Sequence, residues 1–175
     1  MIKPWQLLKE ELYPGLSYRK IAKRVYRLPN GEEHTYDINL NRQVAIALAL
    51  TPDQKVIMAE QYRPGLDKVL KEMPAGVVDE GETPEQTIKR ELLEETGYQG
   101  EVEYVGPCYR DAYSTVVLHT FIVRNCQKIQ EPKPEEDEFI EVLTLSLTEF
   151  RAHVRSGQLT DVGPGYLALD HLGLL

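Results

Sequence analysis

The chain is short of cysteine, histidine, cationic residues and long apolar runs, and each shortage excludes something. Its two cysteines, Cys108 and Cys126, have no CxxC spacing, so two reduced thiols are expected rather than a disulfide framework. The four histidines, His34, His119, His153 and His171, form no HxxxH pair, which argues against a zinc site. No apolar run approaches the roughly 20 residues of a membrane span. The opening MIKPWQLLKEEL lacks the apolar core of an export leader. A reducing, cytoplasmic setting with no membrane attachment is therefore the default expectation. Gly-rich phosphate loops, a GxSxG setting, internal repeats and low-complexity linkers are all missing. Lysine and arginine number 20 against 28 aspartates and glutamates, a net charge of -8 that argues against a general nucleic-acid surface. Small anionic ligands stay open, because metal ions can reverse the local sign.

What is present reads as one α/β domain, since 175 residues can bury a sizeable core. Residues 18–28 and 34–40 alternate apolar with polar around the turn Pro29-Asn30-Gly31, which predicts a β-hairpin. Val44 to Leu50 (VAIALAL) fits a strand buried on both faces, and Lys55 to Arg63 a following strand. Arg63 to Asp79 reads as loop. Residues 100–105, 116–123 and 139–145 read as strands, and 147–156 and 166–172 as helices.

The clearest element runs from Gly76 to Tyr98, GVVDEGETPEQTIKRELLEETGY. Thr83 suits an N-cap, Pro84 the first helical position, and Gln86 completes a capping box. Gly97 is a natural helix stop. Glu91, Glu94 and Glu95 then fall at i, i+3 and i+4, on one helix face. Like charges so placed repel unless something neutralises them, and hard cations such as Mg2+ or Mn2+ take carboxylate oxygens. The plainer alternative is a solvated acidic face paired by Lys89 and Arg90. Arg90 can pair with Glu94 or reach back to Glu82, and the loop from Gly76 to Gly81 leads to a helix N-terminus that favours anions.

With Gly76, Glu82, Arg90, Glu91, Leu92, Glu94, Glu95 and Gly97 in register, the stretch resembles the Nudix box, GX5EX7REUXEEXGU with U aliphatic. Tyr98 departs from the final aliphatic position. The resemblance implies a Nudix α/β/α sandwich with a mixed β-sheet, preceded here by an antiparallel hairpin. It also implies metal-dependent hydrolysis of a nucleoside diphosphate linked to another group. By that likeness Glu91 and Glu95 are the main metal ligands and Glu94 assists. The carbonyl of Ala75 or Gly76 joins them, while Glu82 and Arg90 support the loop-helix geometry.

Flanking residues narrow the resemblance. Glu60-Gln61-Tyr62-Arg63 and Glu72-Met73-Pro74-Ala75-Gly76 are similar to the EQYR…ExPAG pattern of ADP-ribose and nucleotide-sugar pyrophosphatases. Arg63 reads either as a pyrophosphate ligand or as a strand-end surface arginine. Glu72 reads either as a group touching ribose or metal-bound water, or as a surface carboxylate. Glu138 is the expected general base or loop metal ligand with Glu136 as its helper, against a solvated acidic loop over 131–138. Trp5 is an apolar anchor by default, and the resemblance adds stacking on the nucleobase. The Pro-Gly pair found after the box in many such enzymes is absent from GPCYRDAYSTVVLHT. Arg110, Asp111, Tyr113 and Ser114 could contact a sugar or terminal phosphate instead, which leaves the leaving group open. The resemblance further implies a homodimer, with residues 1–42 for dimerisation and substrate contacts and 43–175 as the hydrolase domain. Other substrates (RNA or dinucleotide caps, nucleoside triphosphates) and a non-hydrolysing nucleotide sensor are the alternatives.

Overall fold

Three strands, not two, form the first sheet: β1 (Gln6–Leu12), β2 (Ile21–Arg27) and β3 (Glu33–Asn39). The computed structural model describes residues 3–15, 19–134 and 138–175. β2 and β3 pair antiparallel, with Arg27 opposite Glu33 across the Pro29–Gly31 turn. β1 pairs antiparallel with β2. Its sequence, QLLKEEL, has no period of two and only Leu8 is even partly buried, so backbone pairing rather than patterning holds it. This sheet and the segment Tyr109–Val117 make one compact unit. Within it the Asn39 N–H donates to Tyr113 O, and the Thr115 N–H to Asn39 O, each at 2.8 Å.

The second unit comprises Gln43–Cys108 and Leu118–Leu175. Its strands are β4 (Val44–Leu50), β5 (Lys55–Arg63), β6 (Lys68–Glu72), β7 (Ala75–Val77), β8 (Tyr98–Tyr109), β9 (Val117–Lys128) and β10 (Ile140–Ser146). The outermost residues of β8 and β9, Tyr109 and Val117, count with the first unit. Its helices are α1 (Pro84–Thr96), α2 (Leu147–Arg155) and α3 (Val162–His171). The sheet runs β10-β5-β4-β9-β8, with β6 on β5 and β7 on β4. β4 and β9 are parallel while β5 is antiparallel to both β4 and β10, so the sheet is mixed.

β4 is buried almost throughout, as its continuous apolar run requires. Ala45, Ala47 and Ala49 join Ile57, Phe121 and Val123 in a cluster with Ile88 and Leu92 of α1. Small alanines let the helix approach this face closely. The alternate residues Ile46, Leu48 and Leu50 point to the other face. α3 packs on β4, and α2 on β5 and β10.

Between Arg63 and Asp79 the expectation of loop is corrected, because β6 and β7 lie there. β7 has three residues, too few for a periodic signal, and is defined by its pairing to β4: Ala75 opposite Ile46 and Gly76 opposite Ala45. That pairing carries the backbone of Ala75 and Gly76 to the helix that follows.

Candidate active site

α1 forms where its ends say it should. Thr83 Oγ1 accepts the Gln86 N–H at 3.2 Å, and Gln86 Oε1 accepts the Thr83 N–H at 2.8 Å, a complete capping box. At the other end Gly97 takes a left-handed conformation, φ 77°, and its N–H donates to Leu93 O. Burial of Ile88 and Leu92 against β4 fixes the rotation of the helix. Glu91 and Glu95 are thereby turned inward and Glu94 lies nearer the surface.

Glu95 is 4 % exposed. Its Oε2 accepts the Ala75 N–H at 3.2 Å, so β7 and α1 meet at this carboxylate. Burial holds its pKa well above the ordinary carboxylate value, and the charge of Glu91 pushes the same way. Burial likewise raises Glu91 to about 7, against the opposing pull of Arg90. Gly76 presses on Glu91: a β-carbon on Gly76 would fall 2.0 Å from the Glu91 carboxyl carbon.

Arg90 makes both pairings that its sequence position allowed, and also meets Glu91 and, at 3.5 Å, Asp79. Its Nε donates to Glu82 Oε1 at 3.0 Å and its Nη2 to Glu82 Oε2 at 3.1 Å, a two-pronged pair. Nη1 reaches Glu91 Oε1 at 2.8 Å and Glu94 Oε2 at 3.0 Å. Thr87 Oγ1 adds a bond to Glu82 Oε2 at 2.8 Å. Arg90 and Thr87 together hold the Glu82 carboxyl down at about 2.

The donor set is all oxygen, with Glu95 buried and Glu91 half-buried beside it, which is chemistry that fits a hard divalent cation. Among the described residues no three of His, Cys, Asp or Glu converge on one point. Arg90 Nη1 instead sits on Glu91 and Glu94, and the Ala75 N–H on Glu95. Glu91 and Glu95, with a backbone carbonyl of Ala75 or Gly76 in β7, are the groups that could hold such an ion.

Arg63 and Glu72 are brought together beside this cluster. Arg63 Nε donates to Glu72 Oε2 at 2.6 Å, and the charge of Arg63 acts on Glu95. Glu72 is 4 % exposed, which corrects its reading as a surface carboxylate. Its other oxygen, Oε1, accepts Thr160 Oγ1 at 2.5 Å.

The NUDIX domain family model matches residues 40–161, most of the chain. The chain belongs to the Nudix family. An ADP-ribose pyrophosphatase of Bacillus subtilis (strain 168) is 31 % identical over 96 % of this chain and 91 % of its own length. An ADP-sugar pyrophosphatase of Mus musculus is 32 % identical over 78 % of this chain and 71 % of its own. A crystal structure of an ADP compounds hydrolase superposes with a TM-score of 0.82. It covers 100 % of this chain and 99 % of the solved one at 15 % identity, a likeness of fold. The Nudix sandwich, its mixed sheet and the antiparallel sheet before it agree with the expectation from sequence. Nudix hydrolases are in general divalent-metal dependent.

Outside the Nudix box the expected residues fare differently. Glu138 faces the box carboxylates closely enough for its charge to push Glu91 and Glu95 upward. Glu136 lies outside the described residues. Trp5 belongs to the first unit, where it packs against Tyr26 and Tyr36 at centroid distances of 6.3 and 5.8 Å. Tyr36 in turn stacks on Tyr113 at 5.9 Å. Arg110, Asp111 and Ser114 belong to that unit too. Sequence reasoning missed Thr87 and Thr160. Thr87 stands five residues beyond Glu82, a spacing open to inspection; Thr160 is 88 residues from Glu72, and no local pattern announces it.

Proposed function

We propose that the chain is a Mg2+- or Mn2+-dependent pyrophosphohydrolase that cleaves ADP-ribose or related nucleoside diphosphate sugars to a nucleoside monophosphate and a sugar phosphate. The observation that carries this reading is the pair of carboxylates, Glu95 buried and Glu91 half-buried, set on one helix face against the Ala75–Gly76 backbone. The names of the B. subtilis and mouse relatives support the substrate class.

In this reading Glu91 and Glu95 hold the cation with a carbonyl from Ala75 or Gly76, and Glu94 assists. A cation bound there neutralises pyrophosphate charge and makes an attacking water more acidic. Arg63 binds a phosphate oxygen through its guanidinium. Glu138, aided by Glu136, takes the proton as water oxygen bonds to phosphorus, and the leaving phosphate departs with the bridging oxygen. Glu82 and Arg90 keep Glu91 and Glu94 in place, Gly76 admits the close approach of Glu91, and Gly97 admits that of Gln130 at the end of the helix. Trp5 stacks on the nucleobase. Residues 43–175 form the hydrolase domain, and residues 1–42 serve dimerisation and substrate contacts in a cytoplasmic homodimer that has no nucleic-acid or membrane partner. No helix of the described residues is long and apolar enough to cross a membrane.

The test is incubation with ADP-ribose, GDP-mannose and a nucleoside triphosphate, with and without Mg2+, followed by product analysis. Cleavage of a nucleotide sugar to two monophosphates, lost without metal, is the expected result. Tight binding with no cleavage of any of the three would replace the enzyme by a sensor, and cleavage of the triphosphate alone would change the substrate class. Sedimentation at micromolar concentration tests the dimer.

A further inference from the structure

Glu72 has no idle oxygen. Oε2 is bonded to Arg63 Nε at 2.6 Å and Oε1 to Thr160 Oγ1 at 2.5 Å. Thr160 lies in the connection between α2 and α3, far along the chain. From the same side His153 Nε2 donates to the Lys71 carbonyl at 2.8 Å, which fixes the backbone just ahead of Glu72. A buried carboxylate held at one oxygen can still swing about its last torsion, and a second donor on the other oxygen removes that freedom.

The consequence falls on Arg63. Its Nε is spent on Glu72, and among the described residues its two terminal nitrogens have no partner. Its side chain is 45 % exposed, which leaves it accessible to a ligand. Two terminal guanidinium nitrogens match a phosphate's oxygens in a way that a lone ammonium does not. How well they match depends on the guanidinium plane, and that plane is set by the Nε bond to Glu72.

We propose that Thr160 is a positioning residue: by holding the Glu72 carboxylate, it fixes the plane in which Arg63 meets the diphosphate of the substrate. This rests on the pyrophosphohydrolase reading for the identity of the ligand. It moves Glu72 from a group that touches substrate to one that orients the group that does.

The test measures binding of ADP in the presence of Mg2+ by titration calorimetry, alongside kcat and KM for ADP-ribose and the melting temperature. Thr160→Val removes the donor at nearly constant shape, and Thr160→Ala removes it without an added methyl. Both should weaken ADP binding about tenfold and raise KM in proportion, as expected for loss of a bond to a buried charge. Thr160→Ser should restore binding to within about twofold of wild type. In an Arg63→Ala background, Thr160→Val should add less than about a twofold further loss. Wild-type-like binding in both Thr160→Val and Thr160→Ala, failure of Thr160→Ser to rescue, or a full further loss without Arg63 would overturn the proposal. A wild-type protein that binds ADP but cleaves no nucleotide sugar would end the enzymatic reading while leaving the coupling standing. One that binds no ADP at all would overturn both.

Discussion

Gly76 lies against the Glu91 carboxyl so closely that a β-carbon on it would stand 2.0 Å from the Glu91 Cδ and Oε1. Real side chains do not approach like that, so either the β7 backbone or Glu91 must move in Gly76→Ala. β7 is tied to β4 along Val44, Ala45 and Ile46, which leaves the carboxylate as the part that yields. If Glu91 holds the cation as proposed, displacing it by about 1 Å can cost about 100-fold in rate. Gly76→Ala should therefore lose at least that much in kcat on ADP-ribose while keeping a cooperative melting transition. Wild-type turnover in a folded Gly76→Ala protein would show that Glu91 is free to relax.

Local features of this site were legible in the sequence and distant ones were not. Thr83, Pro84, Gln86 and Gly97 announce α1 because a capped helix is written in neighbouring residues. Glu91, Glu94 and Glu95 fall on one face by spacing alone, but which of them is buried depends on Ile88 and Leu92 meeting β4. Arg90 posed a choice between Glu82 and Glu94 that the structure dissolves, since a five-donor fork can serve both. β1 and β7 escaped because their pairing partners, not their own patterns, make them strands. Glu72 escaped as a buried residue for the same reason: its burial and its bond to Thr160 come from segments remote in sequence.

Glu95 is a buried carboxylate whose charged form the fold disfavours, so replacing it with a neutral isostere separates chemistry from stability. Glu95→Gln keeps an oxygen for the Ala75 N–H and removes the charge. Its melting temperature without metal should match or exceed the wild-type value, whereas turnover falls by at least about 100-fold. A saturating divalent cation adds about 2.7 kcal/mol of stability at 100 times its dissociation constant. Wild type should therefore melt higher on adding Mg2+ or Mn2+, and Glu95→Gln should show little of that shift. An equal metal-induced shift in both proteins would place the ion elsewhere.

Glu82 supplies a pH-dependent share of stability with a defined sign. Its folded pKa, about 2, lies below the ordinary carboxylate value of 4.5 because Arg90 and Thr87 favour the carboxylate. A depressed pKa means that the contribution is complete above about 4.5 and is lost as pH falls towards about 2. Melting curves of wild type and Glu82→Gln should be furthest apart at pH 5 and above, and should draw together across that interval. A gap that stays constant from pH 5 to pH 2 would mean that the Glu82–Arg90 pair is not formed in solution.

Gly97 meets two demands at once, and two substitutions can tell them apart. Its φ of 77° is left-handed, which Ala resists by about 1 kcal/mol and Asn tolerates better. Its missing β-carbon also admits the carbonyl of Gln130, which would lie 2.1 Å from that atom. Around this contact the chain after β9 is pinned to the end of α1, with the Ile129 N–H on Gly97 O at 3.0 Å and the Lys133 N–H on Glu94 O at 2.7 Å. If conformation alone mattered, Gly97→Asn would recover most of what Gly97→Ala loses. The contact with Gln130 is steric and applies to any β-carbon, so both variants should lose more than about 1 kcal/mol in urea unfolding. Both should also speed amide exchange at Ile129 and Lys133, since the backbone carrying those donors must lift. Near-complete recovery of stability and of amide protection in Gly97→Asn would reduce the role of this residue to its backbone angle.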